Sequence, residues 1–252
     1  RGAGKSFDAA IDPRSLTIER ITADLGELVD LLLEELGREQ LLLVAHSWGT
    51  VLGLEYVAKR PETVAAYVGI SQIVDWLESD DQGYAWALAE ARETENDEAV
   101  AELEAIGPPP YSLDEFFTQR KLVNALGGVF YKPQSNLGLL KKALGTPETA
   151  WPDFVSFVRG EAFSMKALWT EAKGYDARER HSDFEVPIFF MVGRHDRVVW
   201  PQSAVDFLET VEAPEKEIVW FEHSAHMLPF EEPERFNALV RQVARRVGLL
   251  AK

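Results

Sequence analysis

The stretch Leu41-Leu42-Leu43-Val44-Ala45-His46-Ser47-Trp48-Gly49-Thr50-Val51-Leu52-Gly53 constrains this chain more than any other. An apolar run stops at a small-residue turn, and a helix-compatible segment follows over residues 51–59. That is strand, sharp turn, helix, with Ser47 at the apex. A serine held out of a sheet this way needs strained backbone and little bulk two residues to either side, which Ala45 and Gly49 supply. The pattern Ala-x-Ser-x-Gly is one methyl away from the Gly-x-Ser-x-Gly nucleophile elbow. At the helix start the backbone N–H of Trp48 is available to a developing oxyanion. The plainer alternative is that Ser47 only caps a helix.

Around this stretch the chain alternates helix and strand. Ile18, Ile21, Leu25, Leu28, Leu32 and Leu36 step by three or four, which predicts a helix over 17–36 with Thr17 as N-cap and Gly37 as terminator. Buried strands are expected at 40–45 and 64–70, the helix between them ending at Arg60-Pro61. Sheet character returns at 186–193, followed by a helix near 202–212, a strand at 217–221 and a last helix opened by Pro233. Such alternation predicts an α/β fold with a mostly parallel sheet.

The middle of the chain differs. Between Asp75 and Pro110 stand eleven acids and one base, Arg92, a net −10 within a whole-chain −16. The pattern is helical, with Ser112 and Glu115 forming a capping box, and short helical pieces rich in aromatics are expected to run to about residue 176. The acids read as a solvated face and the aromatics as the insertion's own small core. A field this acidic repels phosphate backbones, which disfavours nucleic acid as a partner. No run approaches the roughly 18 apolar residues of a membrane span. The chain has no cysteine, which excludes disulfides and thiolate metal sites. No cluster has metal-ligand spacing and no dinucleotide fingerprint occurs, so neither metal nor cofactor is expected. The opening Arg1-Gly2-Ala3-Gly4-Lys5-Ser6 lacks the additional glycine and the preceding strand of a phosphate loop.

Ser47, Asp196 and His226 each stand just beyond a predicted parallel strand, the edge where open α/β sheets place ligands. Their chain order, serine then acid then histidine, is that of one known triad arrangement. Serine is a weak nucleophile at neutral pH, so an imidazole must take its proton, and a carboxylate must fix that ring's tautomer. Asp183 and Asp206 are weaker acid candidates, one preceding its strand and the other inside a helix. His223 competes with His226. His46 and His195 are expected to shape the pocket or bond to backbone, and His181 has no evident partner.

At Ala-His-Ser-Trp-Gly-Thr (45–50), Gly-Arg-His-Asp-Arg-Val (193–198) and Phe-Glu-His-Ser-Ala-His-Met-Leu-Pro-Phe-Glu-Glu-Pro-Glu-Arg-Phe (221–236), the chain resembles the α/β-hydrolase superfamily. It looks most like proline iminopeptidases and related serine hydrolases, and the likeness spans essentially the whole chain. The resemblance implies a core at 1–74 and 184–252, a helical cap at 75–183, and Ser47, Asp196 and His226 as catalytic triad. It implies hydrolysis of an ester or amide through an acyl-enzyme, with release of N-terminal proline as one form. An acidic cap would hold a peptide's free amine, with Glu161 and Glu171 as candidate contacts. The chain lacks the Glu-Asn-His-Tyr-Phe stretch of well-matched iminopeptidases, which keeps an esterase of small or aryl acyl substrates open. A hydrolase-fold receptor that binds without turnover is the remaining alternative. Serine at the elbow argues against epoxide hydrolases and haloalkane dehalogenases, which use an aspartate nucleophile.

Family members begin with strands that carry a His-Gly-Gly-Pro-Gly type loop, and no His-Gly pair occurs here. The second oxyanion donor is therefore expected outside this chain, on upstream polypeptide that also completes the sheet. The expected substrate is a small molecule or short peptide. The expected location is cytoplasmic, with an upstream targeting segment left open.

Overall fold

The first long helix shows how local sequence sets the elements. Helix α1 (Ile18–Leu36) starts where the Thr17 hydroxyl accepts the Arg20 N–H and stops where Gly37 turns left-handed at φ 59°. The computed structural model describes residues 1–132 and 151–251. Strand β1 (Leu41–His46) follows, then α2 (Trp48–Lys59), and β2 (Val64–Ile70) after the break at Pro61. Next come α3 (Trp76–Glu93), α4 (Asp97–Ile106), α5 (Leu113–Ala125) and α6 (Trp151–Ala172). The chain then re-enters the sheet with β3 (Ile188–Gly193), α7 (Pro201–Thr210) and β4 (Lys216–Phe221). A single turn, α8 (Leu228–Glu231), leads to α9 (Pro233–Arg246).

Among the described residues the sheet has the order β1-β2-β3-β4, every pair parallel. The expected α/β class with helices flanking a parallel sheet is what the chain adopts. Side chains alternate between the two faces, as strand geometry requires. Ile188, Phe190 and Val192 join the core shared with α1, α2 and α7, whereas Phe189 and Met191 join Ala66, Val68 and Ile70 against α9. Full burial of each phenylalanine contributes roughly 1.5–3 kcal/mol. In register, His46 pairs with Ile70, Ile70 with Met191, and Gly193 with Phe221. The strand ends therefore deliver residues 47, 71, 194 and 222 along one edge.

The stretch between β2 and β3 is helical in all its longer described elements, and two expectations about it need correction. The predicted short helical pieces give way to one long helix, α6, and the part predicted at 133–150 lies outside the described residues, as do the side chains of Trp151 and Phe154. The aromatics do not form a separate core. Trp169 and Tyr175 are buried in the main cluster with Trp76 and Phe116, and Phe157 is exposed. The insertion's own core is Ala87, Ala91, Ala99, Leu103, Leu122 and Val123, small enough for three helices to approach closely. The bulky rings go instead to the junction with the sheet, where more space must be filled. The capping box at Ser112 and Glu115 is present.

Candidate active site

Ser47 is the lone residue between β1 and α2, and its backbone sits at φ 52°, ψ −125°. A non-glycine residue there costs about 1–3 kcal/mol, so neighbouring bonds must hold it. Its N–H donates to the Ile70 carbonyl at 3.0 Å, and its carbonyl accepts from the Thr50 N–H at 2.8 Å and the Thr50 hydroxyl at 2.6 Å. Trp48 opens α2, so its N–H has no carbonyl to serve within the helix. The small size of Gly49 meets no close neighbour: a Cβ added there finds nothing within 4 Å among the described residues.

Asp196 stands three residues past β3 and is 1% exposed. Its Oδ1 accepts the N–H groups of Val198 at 2.8 Å and Val199 at 3.0 Å, and its Oδ2 lies 2.9 Å from His226 Nδ1. Burial works to raise this carboxyl, but the His226 imidazole and the Val199 N–H outweigh it and hold the group below its ordinary value. An ionised carboxylate only accepts, so His226 Nδ1 carries the hydrogen and Nε2 is left as acceptor. That Nε2 lies 2.9 Å from Ser47 Oγ. The structure thus brings Ser47, His226 and Asp196 into one hydrogen-bonded chain, across sequence separations of 179 and 30 residues.

His226 is held by its backbone as well as its ring. Its N–H donates to the Val129 carbonyl at 3.1 Å, and its own carbonyl accepts from His46 Nε2 at 2.9 Å and from the Ser71 hydroxyl at 3.3 Å. Burial, then the neighbouring His226, lowers the His46 pKa, consistent with a neutral ring whose Nε2–H is the donor. His46 thus bonds to backbone as expected from its sequence position, and Ser71, which the sequence did not single out, joins it. Its position directly after β2 was the available signal, and its φ of 48° marks a second strained turn at the same edge.

The other candidates lie elsewhere. Asp206 is exposed and accepts from Gln202 Nε2, and Asp183 is exposed and accepts from the Ser182 hydroxyl. His195 and His223 face the Tyr131 ring, with centroids 4.4 and 5.8 Å away. His181 does have a partner, Glu55, at 3.1 Å. Glu171 accepts the Ile18 N–H at 3.0 Å and so caps α1, and Glu161 is exposed. Neither glutamate lines the cavity at Ser47.

That cavity is small, about 80 Å³, and its walls include Ser47, Trp48, Trp76, Phe116, Arg120 and Val199. Helices α3 and α5 thus close over the strand edge. Beside it Asp80, expected on a solvated face, is buried and bonded to Arg120 Nη2 at 2.6 Å. Burial pushes the Asp80 carboxyl up to about 6 against the pull of Arg120. No sequence pattern marked this pair, whose members stand 40 residues apart on different helices. Among the described residues no group of acids and histidines is arranged to hold a metal ion.

A parallel sheet flanked by helices, with polar side chains gathered where its strands end, defines a fold class, and comparison agrees. The chain belongs to the α/β-hydrolase fold family, whose model matches residues 1–233, and it is a hydrolase of that fold. A relative from Bacillus subtilis (strain 168) named "Probable aminopeptidase YbaC" is 31% identical over 248 residues, 97% of this chain and 78% of the relative. The structure resembles that of proline iminopeptidase from Mycobacterium smegmatis, with a TM-score of 0.68 at 15% identity over 98% of this chain and 78% of that one. It also resembles a proline iminopeptidase-related protein from Thermus thermophilus, with a TM-score of 0.60 at 19% identity over 98% of this chain and 77% of that one. At those identities the two structures speak to fold alone.

Proposed function

We propose that this protein is a serine hydrolase that cleaves an ester or amide bond through an acyl-enzyme on Ser47. The observation that carries the reading is the chain from Ser47 Oγ to His226 Nε2 and from His226 Nδ1 to Asp196, each step 2.9 Å. Ser47 Oγ attacks the substrate carbonyl carbon as its proton passes to His226 Nε2. The resulting oxyanion faces the Trp48 N–H, the one oxyanion donor assigned among the described residues. Collapse expels the alcohol or amine, which takes the proton from His226, and water then releases the acid by the same steps in reverse roles. Proton transfer of this kind contributes about 10²–10⁴ in rate. Asp196 holds the imidazole in the acting tautomer and stabilises it when charged.

Helices α3 to α6 serve as the cap over this edge, and the small cavity suits a small acyl group. Release of an N-terminal residue, with proline as one form, is the amide reaction in keeping with the 31% identical relative named a probable aminopeptidase. The esterase reading draws on the cavity itself, because no carboxylate is among its described lining residues and the adjacent Asp80 is already paired. Aryl esters test the assignment. A burst of phenolate followed by steady turnover is expected, with both lost in Ser47→Ala. A burst with no turnover would mark a ligand receptor instead.

A further inference from the structure

The cavity at Ser47 ends on the helical insertion, and the side chains there offer more hydrogen-bond donors than acceptors. Arg120 and Ser79 both line it. Arg120 has five N–H donors. One on Nη2 goes to Asp80 Oδ1 at 2.6 Å and one on Nη1 to Gln119 Oε1 at 2.8 Å. Its guanidinium lies 4.7 Å from the centroid of Phe116, another wall of the cavity. Ser79 is 4% exposed and its hydroxyl has no partner among the described residues. A buried hydroxyl without a partner is unfavourable, so a ligand atom that bonds it recovers that loss.

Charge narrows the ligand further. Asp80 is 2% exposed and already balances Arg120, so the pair presents donors without net charge. A substrate ammonium would meet N–H donors and no free carboxylate among the described lining residues. A substrate carboxylate would add an uncompensated anion to a buried, balanced pair. A neutral carbonyl oxygen meets neither objection. Ser47 lines the cavity, so a group that fills it sits beside the carbonyl carbon that Ser47 attacks.

We propose that Arg120 and Ser79 form a specificity subsite that binds a neutral hydrogen-bond acceptor, a ketone or amide oxygen, on the acyl part of the substrate. The inference rests on the serine-hydrolase reading and names the substrate class that reading leaves open. It also sets this cavity apart from one built to receive a free amino terminus.

Four ethyl esters of matched length test it, each followed by chromatography of the acid released: pentanoate, levulinate, the succinate monoester and γ-aminobutyrate. They end in a methyl group, a neutral ketone, a carboxylate and an ammonium. Wild-type protein is expected to favour levulinate over each of the others by about tenfold or more in kcat/KM, as a hydrogen bond to a charged donor allows. In Arg120→Met the levulinate-to-pentanoate ratio is expected to fall to about one, and Ser79→Ala is expected to lower it partway. A wild type that treats pentanoate and levulinate alike, or that prefers the ammonium or carboxylate ester, overturns the assignment. If Arg120→Met does not fold, the wild-type ranking and Ser79→Ala still decide. Failure of the underlying reading has its own signature: wild type then hydrolyses none of the four faster than Ser47→Ala does, and the subsite proposal falls with it.

Discussion

Single residues in this protein are held by more bonds than their visible role requires, and Asp196 shows why. One oxygen meets the His226 ring while the other takes two backbone N–H groups, so the carboxylate cannot turn away from the imidazole. Glu55 shows the same economy away from the cavity. It accepts from Arg180 Nε at 2.7 Å and meets His181 Nε2 at 3.1 Å, tying α2 to the segment before β3. Burial acts to raise its carboxyl, yet the imidazole and the guanidinium override that and leave it at about 2, below the ordinary 4.5. A carboxylate depressed on folding adds stability that is complete above its unfolded pKa and is lost as pH falls towards its folded one. Chemical denaturation should therefore show a loss of stability between pH 4.5 and about 2 that is shallower in Glu55→Gln. Equal slopes for the two proteins would contradict the coupling. Ser47, Asp196 and His226 were legible as candidates because they stand one, three and five residues beyond the apolar runs of β1, β3 and β4. Glu55 was not, since a glutamate inside a helix looks the same in sequence whether it faces water or a distant arginine.

At the scale of elements, the loops behind β3 and β4 must fit each other before the histidine can reach the serine. Gly193 ends β3, and a Cβ added there would lie 2.1 Å from the Ala225 carbonyl oxygen and 2.8 Å from that of Ser224. Those residues lead straight into His226, and the His195 N–H donates to the Ser224 carbonyl at 3.0 Å. Gly193→Ala should push this loop outward and lower kcat/KM by about a hundredfold, as a misplacement near 1 Å can. Circular dichroism would establish that the variant remains folded. Undiminished turnover would show that the loop has slack the packing does not suggest. Helix limits were legible here to within a few residues, because Thr17, Gly37, Ser112 and Pro233 act through local chemistry. The destination of the insertion's aromatics was not, since periodicity tells which side of a helix is buried and not which neighbour buries it.

Across the whole molecule, a parallel sheet converts separation in sequence into proximity at one edge. Register aligns the ends of β1, β2, β3 and β4, so residues 47 and 226 meet although 179 positions divide them. The alternation of apolar runs with amphipathic stretches made that topology legible. The Asp80–Arg120 pair, built from two helices of an acid-rich insertion, depends on tertiary packing that no spacing encodes. At this edge an activated serine is expected. The most direct measurement is intact mass before and after treatment with a fluorophosphonate, with the modified peptide mapped. One adduct is expected, on Ser47, absent in Ser47→Ala. A folded protein that takes no adduct, or takes it on another residue, would contradict it.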